Sequence, residues 1–187
     1  GNDADTLLHQ ADIALYRVKA ENGRNFRFFE QEMDHALRER REMKRELASA
    51  LSRGELYVVY QPQMEVQGNR LVGFEALLRW NSPTRGAVSP AVFIPLAEES
   101  GLIDQIGAFV LRRATAEATR WPHGISIAVN LSPAQFKSGT ITEAVHDALL
   151  ASGLEPRRLE LEITESVLLD QTSGAIGVLE GLHETGV

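Results

Sequence analysis

Glu75, Asn130 and Glu162 stand in stretches that are otherwise apolar. Side chains alternate faces along a strand. Within residues 70–80, Val72, Phe74, Ala76, Leu78 and Trp80 form one apolar face, while Leu71, Gly73, Glu75, Leu77 and Arg79 form the other. Within residues 125–130, Ile125, Ile127 and Val129 oppose Ser126, Ala128 and Asn130. Within residues 158–164, Leu159, Leu161 and Ile163 oppose Glu160, Glu162 and Thr164. A buried, unpaired carboxylate is costly or changes its protonation. Two carboxylates and an amide oxygen on a common face are therefore most simply explained by a cation. An all-oxygen donor set suits Mg²⁺, Mn²⁺ or Ca²⁺ better than zinc or copper. Each residue also has a plainer explanation. Glu75 could pair with Arg79, Asn130 could be a turn residue or helix cap, and Glu162 could lie on the surface of an edge strand.

The elements that must position these residues alternate along the chain. Strands are expected at residues 55–63, 70–80, 125–130 and 158–164, and helices at 90–100, 103–121, 140–152 and 171–185. Ser89-Pro90 reads as a helix start, with Ser as cap and Pro in the first turn. Gly68-Asn69 reads as the turn of a hairpin. After the hairpin, the alternation predicts a parallel sheet with crossover helices, either an open α/β sheet or a (β/α)-barrel. In a barrel the C-terminal strand ends carry the active site.

The first 53 residues differ. Residues 1–30 read as a helix with an apolar stripe (Leu7, Leu8, Ala11, Ala14, Leu15, Val18), a stop at Asn22-Gly23 and a strand-like run at Phe26, Phe28 and Phe29. Residues 31–53 hold six Lys or Arg and five Asp or Glu, the pattern of a largely solvated linker helix. Met33, Ala36, Met43, Leu47 and Ala50 make a heptad-like seam interrupted by Arg40, so a connecting helix and a helix pairing with a second chain are both open.

Composition excludes several classes. The chain of 187 residues is 43% hydrophobic and 24% charged, a globular balance. It has no cysteine, so disulfides, thiolate nucleophiles and zinc–cysteine clusters are ruled out. A net charge of −7 argues against binding a DNA or RNA polymer through its phosphates. No apolar run approaches the ~18–20 residues of a membrane span. The five histidines show no ligand spacing, and P-loop, nucleophile-elbow and zinc-protease motifs are missing.

The run Glu75-Ala76-Leu77-Leu78-Arg79-Trp80 resembles the signature of EAL domains, bacterial phosphodiesterases that linearise cyclic di-GMP. Tyr60-Gln61-Pro62, the stretch from Phe93 to Ile103, Asn130-Leu131-Ser132 and Glu162-Ile163-Thr164-Glu165 resemble further family motifs in order. The resemblance covers residues 54–187. Residues 1–30, with Ala11–Lys19 and Gly23-Arg24-Asn25, resemble the tail of a GGDEF domain without its catalytic loop.

The resemblance implies a partial (β/α) TIM-like barrel, the first half of an EAL domain, preceded by the linker helix at 31–53 and a helix–strand GGDEF remnant. It implies that Glu75, Asn130 and Glu162 bind metal, with Glu75 catalytic. Gln61, Leu78 and Arg79 would contact substrate, Arg79 through a phosphate, and Glu165 would support a loop carrying later acidic ligands. The implied cofactor is Mg²⁺ or Mn²⁺, with Ca²⁺ inhibitory, and the implied product is the linear dinucleotide pGpG. The family's Asp-Asp pair, later Lys and later Glu are expected beyond Val187, and a whole barrel needs ~250 residues. The segment alone is therefore expected to be inactive, a piece of a cytoplasmic enzyme whose parent could be anchored upstream. The open strand edge of half a barrel favours a homodimer or higher oligomer. The alternatives are a non-catalytic cyclic di-GMP-binding module, a dimerising signalling element, and another Mg²⁺-dependent barrel.

Overall fold

The computed structural model describes residues 3–20, 28–164 and 175–187, which fall into two compact units, residues 1–46 and 47–187. In the first, α1 (Ala4–Ala20) buries Ile13 and Ala14, and the start of α2 (Gln31–Ala50) buries Met33. Asp3 caps α1, its Oδ1 accepting the Thr6 amide at 2.7 Å. On α2 the Arg38 guanidinium sits 2.7 Å from Asp34 one turn earlier. Exposed pairs of this kind contribute only about 0.3–0.5 kcal/mol.

Two expectations for this region are corrected. Leu7, Leu8 and Leu15 are more than half exposed, so the buried stripe of α1 is narrower than its leucines suggest. Phe28 and Phe29 form no strand, and Phe28 is exposed. Aromatic residues favour strands only where a partner strand lets them pack. The expected helix stop and the rest of that strand lie outside the described residues.

In the second unit the last turn of α2 buries Leu47 and Ala50, although Ala36 of the proposed seam is exposed. The sheet follows in the order β1 (Leu56–Met64), β2 (Leu71–Ser82), β4 (Ser126–Asn130) and β5 (Leu159–Glu162). A short β3 (Gly86–Val88), not expected from sequence, pairs with β2. Strands β1 and β2 are antiparallel, whereas β2, β4 and β5 run parallel, so the sheet is mixed. The hairpin turn closes with the Glu65 amide on the Arg70 carbonyl at 2.8 Å, and Gly68 and Asn69 take the positive φ values of 105° and 51° it needs.

Crossovers between the parallel strands carry α3 (Pro90–Glu99), α4 (Ile103–Ala118), α5 (Pro133–Ser138) and α6 (Ile141–Ser152), and α7 (Ala175–Glu184) follows β5. Pro90 opens α3 as expected, but the Ser89 side chain makes no capping bond. Ile127, Val129 and Leu159 of the strands meet Leu111, Ala114 and Ala118 of α4 and Val145 and Ala148 of α6 in one core. Fully burying each Leu, Ile or Val side chain contributes about 1.5–3 kcal/mol. Two polar side chains lock this layer. Thr115 Oγ1 of α4 donates to the Ala148 carbonyl of α6 at 3.2 Å. Buried Arg158 donates to the Ile125 carbonyl at 2.9 Å and the Ala118 carbonyl at 2.7 Å, joining the start of β4 to the end of α4. Among the described residues, no helix is long and apolar enough to cross a membrane.

Candidate functional site

Strand register places the polar residues. Gln61 of β1 lies opposite Glu75 of β2, Glu75 pairs with Ala128 of β4, and Ala128 with Glu160 of β5. Two residues further along, Asn130 pairs with Glu162. A period of two therefore puts Gln61, Glu75, Asn130, Glu160 and Glu162 on the sheet face away from α4 and α6.

The site's geometry begins with Asn130, whose Nδ2 donates to Glu75 Oε1 at 2.6 Å. With its nitrogen committed, the amide offers its Oδ1 as an acceptor. Glu162 is exposed as a residue and β5 is an edge of the described sheet, as the plainer explanation anticipated. Even so, its carboxyl pKa is raised, first by partial burial and then by the negative charge of Glu75, with a smaller push from Glu160. A hydrogen bond from the Gln63 side chain opposes the shift. Two mutually repelling carboxylates beside an amide oxygen form a hard, cation-seeking donor set. Among the described residues, no group of three or more His, Cys, Asp or Glu stands together as a metal site, here or elsewhere, so Asn130 and the two carboxylates form a sparse donor set.

Geometry answers the ion-pair and the cap explanations. Glu75 takes its hydrogen bond from Asn130 rather than pairing with Arg79, whose Nη1 donates to the Leu78 carbonyl at 2.9 Å. Asn130 caps no helix, because the N-cap of α5 is Ser132. Leu78 and Arg79 reach the same end of the sheet, where they line a cavity of about 320 Å³ with Asn130, Glu98, Ser132 and Thr164. Glu165 lies outside the described residues.

Strand alternation puts Gln63 on the same side of the first strand as Gln61, but sequence reasoning gave it no role; it reaches Glu162. Sequence reasoning also missed Ser132 and Glu98, joined by a hydrogen bond from Ser132 Oγ to Glu98 Oε1 at 2.6 Å. Ser132-Pro133-Ala134-Gln135 carries a signal that could have revealed this turn: a Ser followed three residues later by Gln is a capping box, with Pro at the first helical position.

A family model described as the EAL domain matches residues 44–187. The chain belongs to the EAL domain family. It is 48% identical over 188 residues to an "Uncharacterized signaling protein" of Caulobacter vibrioides, covering 100% of this chain and 23% of that protein. It is 38% identical over 191 residues to the "Bifunctional diguanylate cyclase/cyclic di-GMP phosphodiesterase MucR" of Pseudomonas aeruginosa, covering 100% of this chain and 28% of that protein. Among solved structures, "PaMucR Phosphodiesterase, c-di-GMP complex" superposes with a TM-score of 0.74 at 40% identity, covering 78% of this EAL chain and 61% of the other. The EAL chain thus spans about a quarter of the length of these curated relatives.

Proposed function

We propose that this chain is part of a cyclic di-GMP phosphodiesterase that opens the cyclic dinucleotide to linear pGpG by metal-assisted hydrolysis. The observation that carries the reading is the convergence of Glu75, Asn130 and Glu162 from three neighbouring parallel strands, the last two at their strands' C-terminal ends, with Asn130 Nδ2 2.6 Å from Glu75 Oε1. The likeness to MucR, whose solved structure is a c-di-GMP complex, supports the substrate.

Glu75, Asn130 and Glu162 would hold Mg²⁺ or Mn²⁺, with Ca²⁺ an inhibitory substitute. The bound cations would supply Lewis-acid charge stabilisation and a nucleophilic water. The residues fit that task because they are all hard oxygen donors and because Glu162 and Glu75 repel one another without a cation. Arg79 would exchange its bond to the Leu78 carbonyl for a phosphate oxygen, which a guanidinium matches in charge and geometry. Gln61, opposite Glu75, and Leu78, on the cavity wall, would orient the dinucleotide. Glu165 would support the loop bringing later acidic ligands.

In this reading residues 1–30 are the end of a GGDEF domain, 31–53 a linker helix, and 54–187 the first half of an EAL (β/α)-barrel. The segment alone is inactive. The parent works in the cytoplasm as a homodimer or higher oligomer. The experiment compares cyclic di-GMP turnover by the full-length protein and by the 187-residue segment, each with Mg²⁺ or Mn²⁺. Turnover by the former and none by the latter is expected. Tight binding without turnover by the full-length protein would instead favour a non-catalytic binding module.

A further inference from the structure

Asn130 is the last residue of β4, and the chain must turn into α5 within two residues. A six-residue helix is too short to be stable by itself, so its cap and its tertiary ties decide whether the turn is fixed. Those ties come from four directions. The Leu131 amide donates to the Glu162 carbonyl at 2.9 Å, linking the residue after Asn130 to the β5 residue beside it. The Ser132 amide donates to Gln135 Oε1 at 2.9 Å, while Ser132 Oγ accepts the Ala134 amide at 3.1 Å. The single Ser132 hydroxyl proton goes to Glu98 Oε1 on α3 at 2.6 Å. A short bond to a carboxylate is about twice as strong as one between neutral groups. Finally α4 approaches Gln135 at Gly107, where a Cβ would stand 2.1 Å from Gln135 Nε2.

Ser132 and Gln135 are both buried, so losing a partner leaves polar atoms without water. We propose that Glu98, Ser132, Gln135 and Gly107 are positioning residues that hold the β4–α5 turn and so set where Asn130 presents its amide oxygen between Glu75 and Glu162. The inference rests on the reading of Asn130 as a metal ligand. Helices α3, α4 and α5 each contribute one residue to the packing of this turn. Supporting partners of metal ligands commonly change metal affinity 10–100-fold when removed.

The test is a Mn²⁺ titration of the full-length protein, followed by electron paramagnetic resonance, for wild type, Asn130→Ala, Ser132→Ala, Ser132→Thr, Glu98→Gln and Gly107→Ala. Circular dichroism melts show which variants fold. Asn130→Ala and Ser132→Ala are expected to weaken Mn²⁺ binding about tenfold or more, and Ser132→Thr, which keeps the hydroxyl, to restore it. Glu98→Gln should fall between, because its amide keeps an acceptor oxygen but loses the charge. If Gly107→Ala fails to fold, the serine pair still decides the matter. Unchanged Mn²⁺ affinity in folded Ser132→Ala beside weakened affinity in Asn130→Ala would overturn the positioning role alone. Unchanged affinity in Asn130→Ala would overturn the ligand reading beneath it.

Discussion

Asn130 and Glu75 meet across neighbouring parallel strands, with the Asn130 amide nitrogen 2.6 Å from a Glu75 carboxylate oxygen. The bond fixes which way the amide faces and sets the Glu75 carboxyl group beside an acceptor oxygen. Asn130→Asp would replace the donor with a third carboxylate facing Glu75 and near Glu162. The metal-free variant is expected to melt lower than wild type, by the equivalent of about 1–3 kcal/mol for a lost charged hydrogen bond. Added Mg²⁺ should recover more of that loss than it adds to wild type. Calorimetric melts with and without Mg²⁺ check both effects.

Glu162 links the site to pH. Its raised pKa means that the folded chain holds a proton over an interval in which the unfolded chain has lost it. Its contribution therefore falls as pH rises from the ordinary carboxylate range through the raised value. Glu162→Gln removes that penalty. Metal-free Glu162→Gln should melt above wild type at neutral pH, with the gap closing in acid. Cation affinity in wild type should begin to fall at a pH above the ordinary carboxylate range, as protons compete for Glu162. A pH series of melts and Mn²⁺ titrations measures both, and a wild-type affinity flat across that interval would contradict the assignment.

Two residues before Glu75 on β2, Gly73 is shaped by its neighbours. An added Cβ would lie 2.6 Å from Ser126 Oγ and 3.1 Å from Gln63 Oε1. Gly73→Ala is expected to cost about 1–3 kcal/mol through overpacking. Adding Ser126→Ala removes the closest clash and should recover part of the loss. Urea denaturation of the single and double variants tests this coupling.

Arg158 offers a test of the frame. Its guanidinium satisfies the Ile125 and Ala118 carbonyls from a buried position. Arg158→Met retains much of the apolar stem but orphans both acceptors, and hydrogen bonds from a charged group contribute about 1.5–3 kcal/mol each. A stability loss of a few kcal/mol is expected by urea denaturation, and a loss below half a kcal/mol would contradict the role.

The site was legible where periodicity is strict. Alternation in 70–80, 125–130 and 158–164 placed Glu75, Asn130 and Glu162 on one face because a strand's side-chain period is two, and the register agrees. Helix edges were less legible. The leucines of α1 have helical spacing, but spacing does not say which side of the stripe is covered, and Ile13 and Ala14 rather than Leu7 and Leu8 are buried. The three residues of β3 hold too little pattern to read, and the six of α5 hold too little periodicity, so that only its capping box marks it. The face of Gln63 follows from the same alternation, but its partner Glu162, like the partner Ser132 of Glu98, lies far away in sequence, and no local pattern encodes such a contact.

The most direct test of the central claim is cyclic di-GMP hydrolysis by the full-length protein with Mg²⁺ or Mn²⁺, followed by chromatography of the linear product, in wild type and Glu75→Gln. The account predicts metal-dependent pGpG formation by wild type and a loss of at least about a hundredfold in Glu75→Gln, the scale of removing a group that stabilises the transition state. Hydrolysis that persists undiminished in Glu75→Gln, or that runs at full rate with all divalent metal chelated, would contradict it.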